Sequence, residues 1–129
     1  IEIVVSIPAE GSVPVDGLVH ADSKDVLCAM TFKPYRREVA EAVETARTQG
    51  VTIIAVSDSP ASPIFEGADY QFQISVDTPL MFISTVALSA LLESLMAFVI
   101  SDLDESVIAS IERFHQRRYD LGIYLEENS

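Results

Sequence analysis

The sequence predicts an α/β fold, a three-layer α/β/α sandwich around a mostly parallel sheet, and three observations predict it. Short runs rich in Val and Ile recur without strict alternation, as strands do when both faces of a sheet are covered. An amphipathic helical stretch separates two of those runs, and Gln49-Gly50 leads straight from it into the next, the layout of a right-handed strand–helix–strand crossover. No repeat and no linker divides the 129 residues, so residues 1–129 read as a single domain able to bury a core without staples.

The elements follow in order. Ile1–Val5 reads as the first strand. Pro8–Ser23 is irregular and rich in Gly, Pro and Asp, with a weak helical turn near Gly17–His20. Asp25–Thr31 reads as the second strand and Tyr35–Thr48 as a helix. Val39, Ala42, Val43 and Ala46 form the helix's apolar stripe, and Gly50 stops it. Val51–Ser57 is the third strand. Ser57-Asp-Ser-Pro-Ala-Ser-Pro63 is dense in turn formers and introduces a short helical turn around Ile64–Gly67. Tyr70–Val76 is the fourth strand. Pro79 suits the first turn of a long helix over Leu80–Ile100. A last helix spans Glu105–Arg118, with Val107, Ile108, Ile111 and Phe114 on its apolar side. Its acids come early and its bases late, as the helix dipole favours.

Charge excludes one class of partner. Twenty acidic residues against eight basic ones give −12, a surface that repels nucleic acid phosphates. The single Cys28 forms no intrachain disulfide, and one thiol with two scattered histidines makes no metal cluster, so no metal or cofactor is expected. A reducing cytoplasm fits this cysteine usage, and no signal-peptide pattern opens the sequence. Leu80–Ile100 carries one charge, Glu93, over a length that raises the question of a membrane span. Ser84, Thr85, Ser89, Glu93 and Ser94, with no basic flank, argue instead for a helix buried in a core or a subunit interface.

The run Asp25-Val-Leu-Cys-Ala-Met-Thr-Phe-Lys-Pro-Tyr-Arg-Arg-Glu-Val39 resembles the strand–loop–helix signature of sugar isomerase (SIS) domains. In that family the stretch reads as a strand, then Ser-x-Ser-Gly-x-Thr-x-Glu, then a helix. Here Thr31 and Lys33 stand at the two serines, Pro34 at the glycine, Arg36 at the threonine and Glu38 at the acid. Val51-Thr-Ile-Ile-Ala-Val-Ser-Asp-Ser-Pro-Ala-Ser-Pro63 is similar to the next family strand and its Thr-Asp-Ser-Pro-x-Ser-Pro turn, a turn typical of RpiR-type bacterial transcriptional regulators. The resemblance is good over residues 25–100 and thin before Asp25. It implies a Rossmann-like SIS fold with strand order 2-1-3-4-5, incomplete at the N-terminus. The family's first strand and helix, with their glycine-rich phosphate loop, have no counterpart. Ile1–Val5 would then be the second strand, with a gap between it and Asp25–Thr31.

A turn between a strand end and a helix start suits anions, because free N–H groups and the positive dipole end point at it. Thr31 offers a hydroxyl, and Lys33 and Arg36 offer charge. Cations at a helix N-terminus are unfavourable by roughly 0.3–1 kcal/mol each, so Lys33, Arg36 and the adjacent Arg37 invite an anion. The competing reading has Glu38, Glu41 and Asp58 already balancing them, with Pro34 removing a backbone N–H from a relic site. Ser57, Asp58 and Ser59 end the third strand on the same sheet edge, able to reach a sugar hydroxyl or simply to cap the turn. Thr85, Ser89 and Glu93 make one polar stripe, either an isomerase base with its neighbours or the place where a buried helix meets water or a partner. His20 and His115 have no acid–base partner in sequence.

The resemblance implies a ligand-sensing domain that binds a phosphosugar or other anionic sugar derivative and pairs as a homodimer or higher oligomer. It implies no membrane contact, and contact with DNA only through a separate helix-turn-helix domain. An aldose–ketose isomerase of phosphosugars is the first alternative, against which stand the altered phosphate loop and the unassigned acid–base pair. A degenerate oligomerisation scaffold is the second. A phospho-receiver with Asp58 as acceptor is remote, since Ile1–Val5 leads into Ser6-Ile7-Pro8 rather than an acidic pair.

Overall fold

The computed structural model of the chain describes residues 13–102 and 105–125. The expected strand at Ile1–Val5, and with it the expected gap in the sheet, lies outside the described residues. The chain forms two compact units, residues 1–88 and 89–129.

In the first unit, a 3-10 turn over Pro14–Leu18 precedes strand β1 (Val26–Met30), helix α1 (Arg37–Thr48), β2 (Thr52–Ser57) and β3 (Tyr70–Gln73). All three strands are parallel, in the order β1-β2-β3. The α/β class with a parallel sheet is therefore as the sequence predicts. Register aligns Leu27 with Ile53 and Ala29 with Ala55, and it aligns Met30, Val56 and Phe72 across all three strands.

Because side chains alternate along a strand, Leu27, Ala29, Ile53 and Ala55 share one face. That face meets Ala42, Val43 and Ala46 of α1, Leu18 of the 3-10 turn, and Ile64 and Phe65 of the 58–69 connection. Ala46, Ile53, Ala55 and Ile64 have no accessible surface, and the alanines let helix and sheet approach closely. On the opposite face Val56 is fully buried, whereas Val26 and Tyr70 are 63% and 59% exposed.

Helix α1 ends in a Schellman motif. The Val51 N–H donates to the Ala46 carbonyl at 3.0 Å and the Gly50 N–H to the Arg47 carbonyl at 3.2 Å. Gly50 takes the left-handed conformation that this reversal needs, at φ 78°. The Gln49 side-chain amide donates to the carbonyls of Leu18 and Ala21, fastening the N-terminal segment to the end of α1.

The first helical turn lies at Pro14–Leu18 rather than near Gly17–His20, α1 starts at Arg37 rather than Tyr35, and three larger differences from expectation follow. Strand β3 stops at Gln73 rather than Val76, because its partner β2 ends at Ser57 and the last rung is Ile74 N–H to the Ser57 carbonyl at 2.9 Å. The region 63–67 is a series of turns, not a helical one, with Phe65 N–H bonded to Ser62 and Ala68 N–H to Phe65. The long apolar helix, α2, spans Val86–Ser101 rather than starting at Leu80. Ser84 sets that start, its Oγ accepting the Val86 N–H at 3.4 Å, while Thr78 holds the Leu80 N–H in a local turn.

The second unit holds α2 and α3 (Glu105–Asp120). Neither helix has a buried residue. Val86 and Phe98 of the long helix are 76% and 70% exposed. Arg118 lies over the Phe114 and Tyr124 rings, each 5.5 Å from the guanidinium carbon, and so ties α3 to the segment after it. Among the described residues, no single helix is long and apolar enough to cross a membrane.

Candidate functional site

The three parallel strands end together. Since Met30, Val56 and Phe72 are in register, the residues that follow them share one sheet edge, the carboxyl edge where open α/β sheets take ligands. A cavity of about 470 Å³ opens there. Lys33 comes from the loop after β1, Asp58 from the turn after β2, Gln73 from the last position of β3 and residues 74–77 from the segment after it.

The loop after β1 is organised by its own polar groups. Thr31 is buried, and its backbone N–H donates to the Val56 carbonyl at 3.3 Å, extending the ladder one step past β1. Its Oγ1 accepts the Arg36 N–H at 3.3 Å, closing the loop over 31–36. Arg36 is the N-cap residue of α1 and gives that helix no side-chain cap; its guanidinium pairs with Glu38. Lys33 is exposed and has no ion pair among the described residues.

The turn after β2 reaches back to this loop. Ser57 is fully buried and donates from Oγ to the Thr31 carbonyl at 2.6 Å, tying the ends of β1 and β2. Asp58 accepts the Lys33 backbone N–H on Oδ2 at 3.2 Å and the Tyr35 hydroxyl on Oδ1 at 2.9 Å. Partial burial pushes the Asp58 carboxyl up, but those two hydrogen bonds, its own backbone N–H and the Lys33 charge together outweigh it and hold the group below the usual carboxylate range. Burial and the facing Asp58 carboxylate push the Tyr35 phenol up. Ser59 accepts the Ala61 N–H at 3.2 Å, a local turn cap.

Of the residues singled out in the sequence, Lys33 and Asp58 line the cavity. Thr31 and Ser57 lie beneath it as buried strand ties, Arg36 is engaged with Glu38, and Ser59 caps its own turn. Tyr35, Gln73, Ser75 and Asp77 were not singled out. Tyr35 was hidden by its place inside a motif whose neighbouring positions carry the family's polar groups. Residues 73–77 were hidden by a strand boundary set at Val76, although the register of β3 against β2 turns them into a rim loop. Glu93, His20 and His115 are exposed, and His20 does not line the cavity. Among the described residues, no cluster of His, Cys, Asp and Glu is arranged to hold a metal.

Comparison with known proteins accords with this geometry. The family of the SIS domain matches residues 2–101. A crystal structure of the sugar isomerase domain of an RpiR transcription factor from Sphaerobacter thermophilus is similar in fold, with a TM-score of 0.72 at 24% identity. The similarity covers 82% of this chain and 59% of that one. No curated protein sequence matches the chain significantly.

Proposed function

The chain belongs to the SIS domain family, and from that premise we propose that it is the ligand-sensing domain of an RpiR-type bacterial transcriptional regulator, working in the cytoplasm. Its ligand is a phosphosugar or a related anionic sugar derivative, held at the carboxyl edge of the sheet. The observation that carries this reading is Lys33, exposed and without an ion pair among the described residues, on the rim of a cavity bounded by all three strand ends. A volume of about 470 Å³ suits a small ligand. Lys33 meets the anionic group, and Gln73 and Ser75 are placed for sugar hydroxyls. Thr31 and Ser57 hold the loop from below, while Arg36 and Ser59 stand at its margins. DNA contact falls to a separate domain of the parent protein, consistent with the net charge of −12.

Sensing is favoured over turnover by the groups around the cavity. An aldose–ketose isomerase needs a base poised near neutral pH. Among the described residues the cavity has no histidine or glutamate, and the Asp58 carboxyl is pushed the other way, fully ionised and spent on two hydrogen bonds. Self-association through α2 is part of the same proposal. A sixteen-residue helix with Val86, Met96, Phe98 and Ile100 exposed presents an apolar surface that pairing covers. A stable monomer in sedimentation at micromolar concentration contradicts that part.

The test of ligand binding is a melt with sugar phosphates and sugar acids. A ligand at a hundred times its Kd stabilises by about 2.7 kcal/mol, a clear shift. Lys33→Glu combined with Arg36→Glu is expected to abolish the shift and keep the fold, since both side chains are exposed. A full ligand response in the double variant refutes the site, and turnover of a sugar phosphate refutes the sensing role.

A further inference from the structure

The loop after β1 is built to surround an anion, and one is already there. The Asp58 carboxylate takes the Lys33 backbone N–H and the Tyr35 hydroxyl, while the neighbouring Ser57 hydroxyl gives its one proton to the Thr31 carbonyl. These are donor types that cradle a phosphate or carboxylate oxygen: a main-chain N–H and a hydroxyl converging on a single charged group. Arg36 is also engaged from within, its N–H on Thr31 Oγ1 and its guanidinium on Glu38. The Lys33 ammonium has no ion pair among the described residues, and it shares the cavity with two carboxylates, Asp58 and Asp77.

We propose that Asp58 is an internal counter-anion that sets the specificity of this site: a ligand's anionic group reaches the loop's donors only by displacing the Asp58 carboxylate. This rests on the reading of the cavity as a site for an anionic sugar. A bare anion gains Lys33 but faces the repulsion of Asp58, so it binds weakly. A sugar phosphate binds where a bare anion does not, because its hydroxyls engage Gln73, Ser75 and the displaced Asp58 and so offset the displacement. Asp58 thereby rejects inorganic phosphate, which any cell holds in excess, and admits anions attached to a polyol.

Titration calorimetry of the full chain with inorganic phosphate and, separately, with glucose 6-phosphate tests this. Asp58→Asn keeps the shape and an acceptor oxygen while removing the charge. It is expected to tighten phosphate binding by about tenfold or more, the scale of one unit charge removed at close range near a protein surface. Asp77→Asn removes an equal charge from the same cavity without touching the loop donors, and its gain is expected to be clearly smaller. Tyr35→Phe loosens the grip on Asp58 and is expected to shift phosphate binding in the same direction by less, which provides a second reading should Asp58→Asn fail to fold. Equal gains from Asp58→Asn and Asp77→Asn show a general charge effect and overturn the proposal, as does unchanged phosphate binding in both Asp58→Asn and Tyr35→Phe. The underlying reading fails separately. It falls if no sugar phosphate or sugar acid binds the unaltered chain, whereas glucose 6-phosphate binding with no gain for phosphate in Asp58→Asn overturns the Asp58 proposal alone.

Discussion

Ser57→Ala isolates the contact that joins the ends of β1 and β2 beneath the cavity. The serine has no accessible surface, and its hydroxyl donates to the Thr31 carbonyl at 2.6 Å. Alanine fits the same space, so packing is nearly conserved and the loss is polar. One intramolecular hydrogen bond disappears, and a carbonyl on a residue only 5% exposed loses its partner. A lost bond of this kind is worth about 1 kcal/mol net, and leaving the acceptor unsatisfied brings the expected cost to about 1–3 kcal/mol. Urea denaturation followed by circular dichroism reads this as a lower midpoint at unchanged slope, since no surface is newly exposed in the folded state. Ser59→Ala is the control. It removes a local turn cap at a partly exposed position and is expected to cost less than about 1 kcal/mol. A cost for Ser57→Ala below about 0.5 kcal/mol, or no greater than that of Ser59→Ala, refutes the assignment of Ser57 as a strand tie. It would return Ser57 to the pool of ligand-facing groups.

Three further outcomes follow from the packing and the site. Gly50→Ala forces a Cβ into the left-handed conformation of the Schellman turn and is expected to cost about 1–2 kcal/mol in the same denaturation assay, since the new Cβ meets the Ser23 Cβ only at an ordinary contact of 3.7 Å. Ile53→Ala, at a fully buried position on the central strand, is expected to cost about 2–5 kcal/mol, and Ile53→Val about 1 kcal/mol; equal costs contradict close packing there. The depressed Asp58 carboxyl binds fewer protons folded than unfolded just below the ordinary carboxylate value of about 3.9. Its contribution to stability is therefore present above that value and lost as the pH falls through the depressed folded one. Tyr35→Phe removes one donor and is expected to make this acid limb of the stability–pH curve shallower, measured by melts across the acidic range.

The elements with strong local signals were legible in the sequence. The Val/Ile runs at residues 26–30 and 52–57 and the stripe Val39, Ala42, Val43, Ala46 carry their own periodicity, and Gly50 marks the turn that ends α1. The end of β3 was not legible, because it is set by the length of its neighbour: Ile74 bonds to Ser57, and nothing further along β2 remains to pair. The start of α2 was misplaced for a related reason. Pro79 and Ser84 both suit a helix start, and only the bond from the Val86 N–H to Ser84 decides between them. The site divides in the same way. Lys33 is visible as a cation at a strand–helix turn and Asp58 as a group on the same sheet edge, but the contacts that fix Asp58 there are not. The approach of Asp58 to Tyr35 and to the Lys33 backbone joins residues 23 and 25 positions apart, which no local pattern encodes.

The central claim is that an anionic sugar binds at the carboxyl edge of the sheet, and amide chemical-shift mapping tests it most directly. Titration of the isotope-labelled chain with a sugar phosphate is expected to move the amides of residues 31–36, 58–59 and 73–77 together along one saturating curve, with Lys33 and Ser75 among the largest shifts. Amides in α3 are expected to stay still. Saturable shifts centred elsewhere, or none with any sugar phosphate or sugar acid at millimolar concentration, contradict the account.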